Sequence, residues 1–110
     1  RCANITNKGL SYLENIKIIH IGFNNHITND GLYYLRKCVQ VTMYSIDKIT
    51  DKGIRYLQEC INLTVHSCDR VKGESFFDLI NLNKLNFSHD FDYNNDSDIM
   101  QRLVDSDIQI

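Results

Sequence analysis

A chain of 110 residues with 43% hydrophobic and 24% charged side chains has the composition of one small folded domain, not of a disordered segment. Its formal charge of −2 offers no general attraction to phosphate backbones or anionic lipid, which argues against nucleic acid and membrane surfaces as partners. No apolar run approaches the roughly 20 residues of a spanning helix and no charged-then-apolar leader opens the sequence, while the lack of proline leaves every turn to Gly, Asn, Asp or Ser.

In chain order, the first element announces a repeat. Ile5 to Leu13 reads ITNKGLSYL, Ile27 to Leu35 reads ITNDGLYYL, and Ile49 to Leu57 reads ITDKGIRYL, each 22 residues after the last. A fixed period of that size marks stacked units, each too small to bury its own apolar side. Within each stretch, Thr28 or Asn29, and Thr50 or Asp51, are placed to cap a helix through a side-chain oxygen. Apolar residues at 32, 35 and 38, and at 54, 57 and 60, recur three apart on one face, predicting helices of two to three turns. Such helices are marginal alone and persist only by packing on neighbours.

The second half of each row predicts a strand. Ile16, Cys38, Cys60 and Leu82 align, followed by Ile19, Val41, Leu63 and Leu85, then by Ile21, Met43, Val65 and Phe87. The last two columns alternate as a half-buried strand does. A fourth row from Val71 has drifted, with Ser75 and Asp78 standing where Gly and Tyr stood. After Tyr93 a polar run at 94–98 reads as a loop, and Ile99, Leu103, Ile108 and Ile110 resume the pattern about one residue late. The predicted repeats are near 5–26, 27–48, 49–70 and 71–93, with a partial fifth at 94–110. All of 1–110 forms one repeat domain, expected to be an excerpt of a longer array.

The run C-x-x-[IV]-T-[DN]-x-G-[LI]-x-x-L, written here from Cys2 through Leu13, resembles the cysteine-containing leucine-rich repeat. The rows are shorter than that family's, and its diagnostic cysteine is replaced by Asn24, Ile46 and Asp90. The resemblance implies an α/β leucine-rich repeat solenoid, a right-handed αβ superhelix with parallel strands on the concave face and short helices outside. It also implies the substrate-recognition part of an F-box type ubiquitin-ligase subunit, with a protein partner that would be a ubiquitination substrate. The alternative is a structural or host-interaction repeat scaffold without a ligase role.

Alternation along the strands places a partner-binding face on His20, Phe23, Gln40, Thr42, Tyr44, Asn62, Thr64, His66, Lys84, Asn86 and His89, with Ile18 at its margin. The histidines have no carboxylate in these rows to orient them, so the expectation is no enzyme. Three tyrosines, Tyr12, Tyr34 and Tyr56, recur at the repeat spacing and are expected to cover the outer side of each helix. The four cysteines are expected to be free, with Cys38 and Cys60 facing inward and Cys68 bonding backbone at the bend after its strand. No paired ligand spacing indicates zinc, and Asp90, Asp92, Asp96 and Asp98 lack the Gly and Glu of a calcium loop, so neither metal nor cofactor is expected. Sequons occur at Asn4, Asn62, Asn86 and Asn95, and those at Asn62 and Asn86 would place glycans on the proposed face. With unpaired thiols they favour an intracellular setting, cytoplasmic or nuclear, for a monomeric module within a longer chain.

Overall fold

The computed structural model describes residues 5–88, 99 and 101–109, and it is an α/β structure. Each of the three matching stretches opens on one α-helical turn: α1 (Asn7–Leu10), α2 (Asn29–Leu32) and α3 (Asp51–Ile54). The first two tighten at once into 3-10 turns, Ser11–Leu13 and Tyr33–Leu35, and a 3-10 turn at Glu74–Asp78 takes this place in the fourth row. Helical backbone thus spans about two turns in the first two rows, at the low end of the expected two to three and partly 3-10, while α3 is shorter than expected. An apolar spacing of three suits a 3-10 turn, in which side chains at i and i+3 eclipse.

Four strands follow these turns: β1 (Ile18–Asn24), β2 (Gln40–Ile46), β3 (Asn62–His66) and β4 (Lys84–Ser88). They form one parallel sheet in the order β1-β2-β3-β4. The register follows the sequence interval, pairing Ile19 with Val41, Val41 with Leu63, and Leu63 with Leu85. A further parallel bridge joins Lys84 to Gln109, 25 residues on. At this bridge the strand column comes three residues late, not one.

A single core lies between the sheet and the turns. Leu10, Leu32, Ile54 and Phe76 from the helical side meet Ile21, Val41, Met43, Leu63, Val65 and Leu85 from the strands, all at most 1% exposed. Each such aliphatic side chain contributes roughly 1.5–3 kcal/mol. Cys38, Cys60 and Cys68 are buried and free, as the columns predict; Cys2 lies outside the described residues.

Polar side chains join consecutive turns. Asn7 Oδ1 accepts from the Thr28 backbone N–H at 3.0 Å while its Nδ2 donates to the Thr28 hydroxyl at 2.8 Å, and Asn29 repeats both bonds to Thr50 at 2.9 Å. This corrects the expected caps. Thr28 and Thr50 occupy the N-cap positions without capping, whereas Thr6 accepts from the Gly9 N–H at 3.3 Å. The hydroxyls of Thr28 and Thr50 are held by the asparagine of the preceding turn. A Cβ added at Gly31 would run into Asn7 Oδ1, and one at Gly53 into Asn29 Oδ1, which explains the glycine column. Where the fourth row has Ser75, the residue beneath it is Asp51 rather than Asn. Asp51 accepts from the N–H groups of Lys72, Gly73 and Ser75 and from the Ser75 hydroxyl at 2.6 Å.

Candidate functional site

The helical turns cover one side of the sheet, and the other side carries the residues singled out by alternation. Its first row is Ile18, Gln40, Asn62 and Lys84, and its second His20, Thr42, Thr64 and Asn86, each paired in register with the next. The third row begins Gly22, Tyr44 and His66. His20, Phe23, Tyr44, Lys84 and Asn86 are exposed, and Gln40, Asn62, Thr64 and His66 are half-buried. Thr42 is a correction: at 6% exposure it is closed off, a short side chain between the longer Gln40 and Tyr44 of its own strand and His20 of β1. His89, Asn4, Asn95, Asp90, Asp92, Asp96 and Asp98 lie outside the described residues.

Phe23 reaches this face by a backbone device that alternation alone does not supply. Phe23, Ser45 and Ser67 hold left-handed backbone, φ 53°, 52° and 57°. The residue after each, Asn24, Ile46 or Cys68, therefore turns back into the core, and pairing skips from Gly22–Tyr44 to Asn24–Ile46. A non-glycine residue in this region costs on the order of 1–2 kcal/mol, repaid here by the burial of its successor. Asn24 then locks the bend, accepting from the N–H groups of His26 at 2.7 Å and Ile27 at 2.9 Å while donating to the Ile5 carbonyl at 2.8 Å. Cys68 does part of this work with its thiol, which donates to the His66 carbonyl at 3.5 Å.

The centre of the face is ordered by its own side chains. The Tyr44 and His66 rings meet edge to face at 5.4 Å, and His66 Nε2 donates to Asn86 Oδ1 at 2.8 Å. One continuous contact thus runs across β2, β3 and β4. The large apolar side chain of Phe23, one residue past the partner of Tyr44, is 61% exposed, and Ile18, at the start of β1, is 57% exposed. His66 is bonded to an amide and not to Ser45 or Ser67. Among the described residues no group of three or more His, Cys, Asp or Glu is placed to hold a metal ion.

The tyrosine column behaves unevenly on the opposite side. Tyr34 and Tyr56 pack partly against the core, whereas Tyr12 is 77% exposed. Tyr33, which no column predicted, bridges them with edge contacts of 5.6 Å to both rings, and the Arg36 guanidinium stacks over it at 4.3 Å. Burial pushes the thiols of Cys38, Cys60 and Cys68 up to about 11, which removes them from nucleophilic chemistry near neutral pH. Among the described residues no helix is long and apolar enough to cross a membrane. Comparison of the chain with protein families, with curated proteins and with solved structures finds no match.

Proposed function

We propose that this chain is a protein-recognition module built as a leucine-rich repeat solenoid, with the open side of its sheet as the binding face. The observation that carries the proposal is the exposed set Ile18, Phe23 and Tyr44 on the same side of the sheet as the ordered Tyr44–His66–Asn86 contact. Aromatic anchors flanked by hydrogen-bonding groups are what protein interfaces use. The equal interval of three strand registers supports the solenoid, and the resemblance of the repeated run to the cysteine-containing leucine-rich repeat supports a substrate-recognition role in an F-box type ubiquitin ligase. Free thiols at Cys38, Cys60 and Cys68 favour an intracellular setting for it.

A photo-cross-linking side chain placed in the protein tests the face. Substituted at His20 or Lys84, it is expected to capture one and the same protein. At Lys52 or Glu59, which are exposed away from the sheet, it is expected to capture none. Adducts from Lys52 and Glu59 alone would overturn the face assignment. Copurification of the protein with a cullin adaptor tests the ligase role, and a clean negative leaves a repeat scaffold without one.

A further inference from the structure

The charge on the binding face differs from the charge of the chain. Of 14 Asp and Glu residues, none stands on any of the four strands. The described carboxylates lie on the turns, the bends and the C-terminal segment, with Asp47 and Asp69 at the rim beside Lys48 and Arg70. The strands carry His20, His66 and Lys84, and Lys84 forms no ion pair among the described residues. The hydrogen-bonding polarity runs the same way. His66 occupies the amide oxygen of Asn86, so Asn86 offers its Nδ2 hydrogens outward.

We infer that the open side of the sheet takes an extended acidic peptide with aromatic or apolar side chains interleaved. This inference rests on the docking reading above and narrows it to one chemical class. Peptide carboxylates meet Lys84, the Asn86 amide and His20 with no carboxylate on the four strands to repel them, while aromatic side chains lie against Phe23, Tyr44 and Ile18. Strands free of acids on a chain of net charge −2 also disfavour the wrong partner, since a basic peptide finds no counter-charge on them.

The test uses the full chain and three labelled octapeptides that alternate Phe with Asp, Asn or Lys, with binding read by fluorescence anisotropy. The Asp peptide is expected to bind most tightly, to weaken as salt rises, and to lose about five-fold in affinity with Lys84→Glu. Tyr44→Ser combined with Phe23→Ser is expected to abolish its binding with the far-ultraviolet spectrum unchanged. Equal binding of the Asn and Asp peptides, or indifference to Lys84→Glu, overturns the acidic assignment while leaving a docking face. No binding by any peptide also overturns it, and the cross-linking result then decides the face independently. Tighter binding of a single-stranded thymidine oligomer than of the Asp peptide overturns it in favour of a phosphate backbone.

Discussion

At the scale of single residues, Asp51 illustrates how one position joins two turns. Burial alone would raise its carboxyl, but the hydrogen bonds from the Ser75 hydroxyl and from the N–H groups of Lys72, Gly73 and Ser75 together outweigh it and hold the carboxyl below its ordinary 3.8. A depressed carboxylate stabilises the folded state fully above the unfolded value, and that stability is lost as pH falls through the lower folded value. Asp51→Asn is therefore expected to flatten the acid limb of a stability–pH profile, and Asp51→Ala to cost about 2–3 kcal/mol at pH 7 in urea denaturation. The buried thiols act at the other end of the scale. Their stabilisation is complete below 9.0 and is lost as pH rises from there through about 11, because the unfolded thiols ionise first. A thiol reagent at pH 8 is expected to leave Cys38, Cys60 and Cys68 unmodified until denaturant is added. At the left-handed positions, Ser45→Val is expected to cost about 1–2 kcal/mol, because a β-branched side chain fits φ 52° poorly.

At the scale of elements, the turns survive by contact with the next turn. Leu57 is fully buried, so Leu57→Ala is expected to cost about 2–5 kcal/mol in equilibrium unfolding. Leu13 holds the same column in the first row but is only half-buried, and its truncation is expected to cost less. Gly53→Ala, which displaces Asn29 from its bonds to Thr50, is expected to cost more than the usual helix propensity would favour. Period and column identity were enough to read the strands, their register and the buried cysteines from sequence. The asparagine ladder was not legible, because Asn29 and Asp51, like the threonines before them, read as caps of their own helices and not as partners of the next turn. The bends were equally hidden. Left-handed backbone at Phe23, Ser45 and Ser67 is normally announced by Gly or Asn, and none of the three is either. Among the described residues, exposure on the face followed alternation except at Phe23, which the left-handed bend turns outward, and at Thr42, where neighbouring side-chain size, invisible to a period-two argument, decided the outcome.

At the scale of the whole molecule, the parallel register and the open side of the sheet have one cause. Every row spends its apolar side chains on the core and on the rows beside it, which leaves the outward strand positions to polar and aromatic residues. The proposed solenoid turns that residue set into a continuous surface, and the absence of carboxylates on the strands gives the surface a preference. All of this depends on residues 22 apart being neighbours across strands. Methyl and amide nuclear Overhauser contacts in the isotopically labelled chain measure this directly. The structure predicts contacts linking Ile19 to Val41, Val41 to Leu63, and Leu63 to Leu85, with none between Ile19 and Leu63. Strand contacts at any other interval, or none between these pairs in a folded sample, would contradict it.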